Sequence, residues 1–376
     1  MVNAFFGLLK DSDIGTFALN EIMRLFSVVL DRESFQTASV REDLEKLADR
    51  CVRYVEAFSG TSSTEQEFDL EVAFLQEICR VCQMKKELQL LFINSGIFFA
   101  LLTLLTIQMP HFPERKAALL DQCLCTLYCM LLANPVAKQK FESNVGYESL
   151  KVTLYSFSEY VDQTRVLDRL FEIAVESRGP WNEAAPPTIQ NPRMLLFICD
   201  FLPVLSHEAI KYAVGRIRVL VNSYPNRSIC CKNGVLTALL EVISSSNMRP
   251  NDDGNGDENG DENEDTENVE EDEKDELVEN GANPEGRGGG KVLALKRAIP
   301  FDPEITPQII DVIEVLGSYM LSASELKRII YILSLSGPSK TRLPEFPYLV
   351  NALRKMPSQV SMPRSFFDFN GSTSVK

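Results

Sequence analysis

The chain has 376 residues, of which 45% are hydrophobic and 24% are charged, so it can bury one large core or two to three ordinary ones. Its formal charge of −15 comes from one stretch, because residues 251–280 hold 16 acidic residues and one lysine and the rest of the chain is neutral. The chain has no strongly basic segment, which argues against nucleic acid as a partner.

The N-terminal segment "MVNAFFGLLKDSD" has no positive region before its apolar residues and is too short for a signal peptide. Nine cysteines lie in apolar segments, and their odd number and irregular spacing argue against a disulfide framework. We expect reduced, buried thiols in a cytosolic protein, so the sequons at Asn226 and Asn370 should stay unglycosylated. The cysteines are Cys51, Cys79, Cys82, Cys123, Cys125, Cys129, Cys199, Cys230 and Cys231.

Apolar residues recur at helical spacing from residue 13 onward, and strand-like alternation is found only in the last dozen residues. This pattern predicts ten or more helices joined by brief turns. The joints are marked by helix-stop residues at Asn134-Pro135, Arg178-Gly179-Pro180, Asn191-Pro192, Tyr224-Pro225 and Gly337-Pro338.

Residues 88–109 form an uncharged run that is long enough for a membrane helix. Residues 94–96, which read Asn-Ser-Gly, interrupt this run in its middle, and Gln89 and Gln108 flank it. We therefore predict two short helices buried in protein, and no transmembrane segment.

An asparagine close to a glycine, followed by an apolar helix, occurs at Gly96, Gly146 and Gly234. The spacings indicate a period of about 45 residues, which is typical of armadillo and HEAT repeats. They also predict a fourth copy near residue 190, where Asn191-Pro192 begins an apolar segment. A glycine at positive φ ends a helix abruptly without a Cβ clash, and we expect this of Gly96 and Gly234 in particular.

The predicted fold is all-α: an armadillo/HEAT-like right-handed helical solenoid with a disordered acidic insertion and a short strand-like tail. The helical array covers residues 1–246 and continues over 291–357. Residues 247–290 are the insertion, which we expect to be a solvated loop, with binding of a basic partner as the alternative. Residues 358–376 form the tail.

The sequence predicts no catalytic, cofactor-binding or metal-binding residue, and no cofactor. The two histidines, His111 and His207, lie at helix starts away from any nucleophile motif. Cys79 and Cys82 form a C-x-x-C pair, but no second pair follows at metal-ligand spacing, so core packing is favoured over zinc. Trp181, the single tryptophan, either anchors a partner or covers the end of a helix pair, and the second is favoured.

Several segments resemble the armadillo-like helical region of the very large BEACH proteins, most closely the Alfy type, which carries WD repeats and a FYVE finger. They are "NVGYESL" (144–150), "VLDRLFEIAVES" (166–177), "NPRMLLFICDFLPVLS" (191–206), "NRSICCKNGVLTALLEVI" (226–243) and "MPRSFFDFNGS" (362–372). In that family the array runs into a concanavalin-like β-sandwich. The resemblance implies that the tail begins such a sandwich and that the chain is a fragment or a shortened form.

The resemblance implies a non-enzymatic scaffold for protein partners in vesicle traffic or selective autophagy, and we expect partners to bind the concave side of the array. It also implies a cytoplasmic location, or a peripheral one on endosomal or autophagic membranes through parts absent from this chain. A helical-repeat regulator of a small GTPase is the alternative, which nucleotide-exchange assays would distinguish.

Overall fold

The computed structural model of the chain describes residues 15–30, 38–57, 65–106, 113–155, 162–245, 302–334 and 346–356. These residues form sixteen α-helices and one short 3-10 helix, with no strand in the described ranges, so the all-α prediction is confirmed. In chain order the helices are α1 (Gly15–Leu30), α2 (Ala38–Glu56), α3 (Glu65–Met84), α4 (Lys86–Asn94), α5 (Ile97–Thr106), α6 (Pro113–Leu131), α7 (Pro135–Asn144), α8 (Gly146–Tyr155), α9 (Gln163–Val175), α10 (Pro192–Phe201), α11 (His207–Val221), α12 (Tyr224–Lys232), α13 (Val235–Ser245), α14 (Ile305–Tyr319), α15 (Ala323–Ser334) and α16 (Phe346–Lys355), and the 3-10 helix is Leu202–Val204.

The helices stack as successive units in two rows. The first row consists of α1, α3, α6, α9, α11 and α14, each packed against the next. The second row consists of α2, α5, α8, α10, α13 and α15, packed in the same way. The short helices α4, α7 and α12 connect the first row to the second, so three of the six described units contain three helices. No single unit could bury its apolar face alone, and stacking makes one elongated core.

The three predicted glycine joints all occur where a short connecting helix turns into a second-row helix. Gly96 has φ +93°, Gly146 has φ +76° and Gly234 has φ +79°. An L-residue with a Cβ is strained in this region. The prediction of positive φ is therefore confirmed for Gly96 and Gly234, and it extends to Gly146.

The fourth copy, expected near residue 190, lacks the glycine, but a helix begins there at Pro192, and it belongs to the second row. The side chain of Asn191 caps α10 by accepting a hydrogen bond from the Met194 N–H at 3.3 Å. This unit also lacks a short connecting helix: an irregular segment joins α9 to α10 instead.

The core runs continuously through the units, and aromatic rings link its successive layers. Phe98 of α5 meets Phe141 of α7 edge to face at 5.1 Å, and Phe141 meets Tyr147 of α8 at 5.2 Å. Tyr147 in turn lies 6.0 Å from Phe197 of α10. All nine cysteines are free, and seven of them are buried, as the composition predicted.

Residues 88–106 of the uncharged run belong to two helices, α4 and α5, which meet at Gly96. Their axes differ by 66°. No single helix of the described residues is long and apolar enough to cross a membrane, although this bent pair passes the same length and composition test. Leu88, Phe92 and Phe98 of the pair are buried in the core.

The helical array resumes on the far side of the acidic segment. α14 packs against α11 and α13, and α16 packs against α14 and α15. His207 of α11 is hydrogen-bonded to Asp302 at 2.8 Å. The structure does not describe the domain boundaries predicted at residues 246 and 291, nor His111, nor the tail from residue 358. What the sequence indicates about them stays a prediction.

The glycine joints give a first testable result. An added Cβ would meet no atom within 4 Å at either Gly234 or Gly215, which lies inside α11. We expect Gly234→Ala to lower the free energy of unfolding by about 1 kcal/mol through backbone strain. Gly215→Ala should raise it by about 0.5–1 kcal/mol, because alanine loses less conformational entropy in a helix. Thermal denaturation monitored by circular dichroism measures both, and shifts of the same sign would contradict this account.

Candidate interaction surface

Residues 176–191, called the connector below, join α9 to α10 where other units have a helix. The connector contains no helix, and its one bridge pairs Asn182 with Ala185. Residues 177–180 and 182–185 are exposed. Ordered irregular segments of this length are uncommon in compact domains and are frequently sites of binding.

Asn226 of α12 fastens the second half of the connector. Its side chain is fully buried. Its Oδ1 accepts a hydrogen bond from the Ile189 N–H at 3.0 Å, and its Nδ2 donates to the carbonyls of Pro187 at 2.9 Å and Leu220 at 3.0 Å. The Asn226 side chain is therefore inaccessible to solvent in the folded chain.

Contacts with the preceding unit fasten the two ends of the connector. Glu176, at φ 55°, accepts a hydrogen bond from the Ala133 N–H at 3.0 Å and forms an ion pair with Lys138 of α7. Lys138 Nζ also donates to the carbonyl of Gln190 at 3.0 Å. The Arg178 guanidinium lies 4.4 Å from the centre of the Tyr128 ring of α6. The connector is thus held by the units on both sides of its own.

Trp181 lies against the first-row helices rather than standing free. Its ring meets Phe171 of α9 edge to face at 5.5 Å, and the Arg216 guanidinium of α11 lies 3.9 Å from its centre. This is the covering role that the sequence favoured. The indole is still only half-buried, so part of it borders the exposed tip of the connector.

A ladder of charged side chains runs beneath the connector along the first row. Asp121 of α6 pairs with Arg165 at 3.0 Å and Arg169 at 2.8 Å, which lie 44 and 48 residues further along the chain. Asp168 repeats the pattern in the next unit, accepting hydrogen bonds from Tyr212 and from Arg216 at 3.0 Å, again 44 and 48 residues further on. The equal spacing is a signal that could have revealed the ladder from sequence, once the stacking of units was known.

The ladder shifts the ionisation of Asp121 and Tyr212. Burial alone would raise the pKa of Asp121, but its hydrogen bonds and ion pairs with Arg169 and Arg165 lower the pKa by more, so it lies below the usual value. Burial, together with the hydrogen bond to Asp168, raises the pKa of Tyr212 to about 12. At neutral pH the aspartate is charged and the tyrosine is neutral.

Asp121 therefore gives a pH-dependent prediction. Because its folded-state pKa is lowered, its contribution to stability is present above the unfolded-state pKa of about 4 and is lost as the pH falls through the folded-state value. We expect Asp121→Asn to lower the free energy of unfolding by about 1–2 kcal/mol at pH 7, and the difference from wild type to shrink below about pH 4. Denaturant titrations at pH 7 and pH 3 measure this. Asp311→Asn, at an exposed pair 3.8 Å from Arg218, is the control and should be neutral at both pH values.

The C-x-x-C pair lies inside α3 and faces α6. Cys79 and Cys82 are buried, and Cys129 of α6 lies opposite them. Among the described residues, no group of three or more histidine, cysteine or acidic side chains is arranged to hold a metal ion. The pair is part of the interface between two units.

Comparison with known families agrees with this architecture. Residues 1–250 match the sequence model of the neurobeachin alpha solenoid region. The chain belongs to the neurobeachin alpha-solenoid family. The match covers α1 to α13 and the whole connector, so the connector and the charged ladder are part of a neurobeachin-type solenoid. α14 to α16 lie beyond the match and continue its rows of helices.

Curated relatives place this solenoid among BEACH-domain proteins. The chain is similar to BEACH domain-containing protein B of Arabidopsis thaliana, with 25% identity over 211 residues. The matched segment is 55% of this chain and 8% of that protein, so the neurobeachin-type solenoid described here corresponds to a small part of its relative. No solved structure matches the chain.

Proposed function

We propose that this neurobeachin-type solenoid is a non-enzymatic scaffold that binds other proteins through the connector. The connector is the observation that carries the proposal. It interrupts a regular helical array, presents two exposed stretches at 177–180 and 182–185, and is held in place by Asn226 and Lys138. A fastened loop loses little conformational entropy when a partner binds, which favours affinity.

The wider cellular role rests on kinship with BEACH-domain proteins. We propose that the chain acts in vesicle traffic or selective autophagy as part of an Alfy-type protein, in the cytoplasm or peripherally on endosomal or autophagic membranes. The resemblance of residues 191–206 and 226–243 to the Alfy type supports this. The partners would be proteins, bound by the surface of the array, and membrane contact would come from parts outside this chain.

Affinity capture from a cell lysate tests the proposal when it compares two charge changes of equal size. One variant carries Glu183→Arg and Ala184→Arg at the exposed tip of the connector. The other carries Glu148→Arg and Val152→Arg, both exposed on α8 in the second row. Neither pair removes a buried side chain, so both variants should melt like the wild-type chain.

We expect the wild-type chain and the α8 variant to capture a set of trafficking or autophagy proteins. The connector variant should capture at least about tenfold less of these proteins, which corresponds to a loss of about 1.4 kcal/mol in binding free energy. Loss of these proteins with the α8 variant alone would instead place binding on the second row. Capture of no such protein by any variant would contradict the scaffold role. Accelerated nucleotide exchange on a small GTPase would favour the alternative function.

A further inference from the structure

Three arginines, called the arginine face below, follow one another from the first turn of α9 to the start of the connector. Arg165 and Arg169 pair with Asp121 of α6 at 3.0 Å and 2.8 Å. Arg169 also pairs with Glu172 at 2.9 Å, and the Glu172 carboxylate lies 3.6 Å from Nε of Arg178. The five side chains therefore form one network with three positive and two negative groups.

The positive groups of this network are more open to solvent than the negative groups. The side chains of Arg165 and Arg178 are 63% and 43% exposed, whereas those of Asp121 and Glu172 are each 16% exposed. Asp168 of α9 is turned toward the next unit, where it pairs with an arginine of α11. A molecule that approaches the arginine face therefore meets guanidinium groups first, and the excess positive charge attracts negative groups.

Arg178 is already held in a position from which it can bind a carboxylate. Its guanidinium lies 4.4 Å from the centre of the Tyr128 ring. The Glu172 carboxylate, at 3.6 Å from Nε, is beyond hydrogen-bonding distance of that atom. An arginine supported by an aromatic ring can offer a pair of N–H groups to a carboxylate, and such a pair is commonly bidentate.

The arginine face has the length of a short extended peptide. α9 contains 13 residues, which corresponds to about 20 Å. Arg165 lies in its first turn, and Arg178 follows its last residue, Val175, by three positions. An extended segment of about six residues covers the same length. One peptide can therefore reach both exposed arginines.

We propose that the arginine face binds an extended segment of a partner protein that carries aspartate or glutamate residues, whose carboxylates pair with Arg165 and Arg178. The proposal rests on the scaffold function and names the chemistry of one segment of the partner. It places this segment along α9, whereas the exposed tip at 182–185 contacts another part of the same protein. A basic segment is disfavoured, because it would meet the exposed guanidinium groups as like charges.

The test titrates the full 376-residue chain against a fluorescein-labelled peptide of eight glutamates and follows fluorescence anisotropy. We expect saturable binding that weakens as the salt concentration rises, because salt screens exposed charges. A peptide of eight glutamines should bind at least about tenfold more weakly, a difference of about 1.4 kcal/mol. The chain carries a net charge of −15, so its overall charge would not favour the glutamate peptide.

A double variant, Arg165→Gln with Arg178→Gln, removes the two exposed charges and should weaken binding of the glutamate peptide at least about tenfold. Arg169 still pairs with Asp121 and Glu172 in this variant, so both buried carboxylates keep an ion-pair partner. The variant should therefore fold, which its melting temperature checks. If it does not fold, Arg178→Gln alone replaces it.

The matched control is Arg193→Gln with Arg218→Gln, on α10 and α11. These side chains are as exposed as that of Arg165, and each pairs with an acidic side chain that is itself exposed. The control removes the same charge as the test variant. It should leave binding of the glutamate peptide unchanged.

Three results would overturn the proposal: no binding of the glutamate peptide, equal affinity for the glutamate and glutamine peptides, or equal weakening by the two double variants. Binding that appears only after deletion of residues 251–280 would also overturn it, because the chain's own acidic segment would then be the occupant. If one of these results is found while lysate capture still depends on the connector tip, the scaffold function stands and only the acidic partner is excluded.

Discussion

Replacing Asn226 with alanine is expected to lower the free energy of unfolding by about 2–4 kcal/mol. The side chain is fully buried and makes three hydrogen bonds, to the Ile189 N–H and to the carbonyls of Pro187 and Leu220. Alanine would remove the partner of the buried Ile189 N–H and of the Pro187 carbonyl, each costing about 1–3 kcal/mol in part offset by relaxation. The Leu220 carbonyl still accepts a hydrogen bond from the Ser223 N–H at 3.2 Å. The midpoint of denaturant unfolding, followed by circular dichroism, measures the change.

The same substitution should release the connector before the array unfolds. We expect trypsin to cleave after Arg178 faster in Asn226→Ala than in the wild-type chain, because cleavage needs the connector to open locally. Asn182→Ala is the matched control, since that side chain lies at the exposed tip and accepts one hydrogen bond from the Ala184 N–H. It should cost less than about 1 kcal/mol. Equal effects of the two substitutions would mean that Asn226 does not fasten the connector.

Replacing Phe141 with alanine should also lower the free energy of unfolding by about 3–5 kcal/mol, through loss of apolar burial and the cavity left behind. Phe141 is 1% exposed and lies between the rings of Phe98 and Tyr147, so it joins α7 to α5 and α8. Phe99→Ala makes the same chemical change one residue from Phe98, where the ring is 54% exposed. It should cost less than about 1 kcal/mol.

Thermal melts of the two phenylalanine variants measure this difference. A large loss of stability with Phe141→Ala and a small loss with Phe99→Ala would show that the contacts of Phe141 with Phe98 and Tyr147 stabilise the packing between units. Equal losses would contradict the assignment of Phe141 to the continuous core.

Local structure is easier to predict from the sequence of a solenoid, because neighbouring units repeat the same turns and helices. The glycines at positions 96, 146 and 234 could be identified from their spacing and from the apolar helix that follows each one. The break in the uncharged run at 94–96 could be identified in the same way. In each case the local structure depends on a φ angle that only glycine adopts without strain, and this angle is a property of the glycine residue alone.

Interactions between units could not be found in this way. Asp121 meets Arg165 and Arg169, and Asp168 meets Tyr212 and Arg216, only because first-row helices stack in a fixed register. Such charged residues on a helix are otherwise typical of an exposed, solvated face. To recognise the ladder, one must know how far each first-row helix is shifted along its axis relative to the next, which begins about 45 residues later. This shift depends on the shapes of all the side chains packed between the two helices.

The sequence by itself determined that the chain is a stack of short helices, that glycines at a spacing of about 45 residues or its multiple end one helix and precede the next, and that the net negative charge comes from one segment. These properties follow from local periodicity and backbone freedom. Only the tertiary structure decided that residues 176–191 replace a helix, that buried Asn226 fastens them, that Trp181 lies beneath Arg216, and that Gln83 meets Cys129. Each of these contacts joins residues about 35–50 positions apart, and such contacts form only when whole units pack together and bury a shared core.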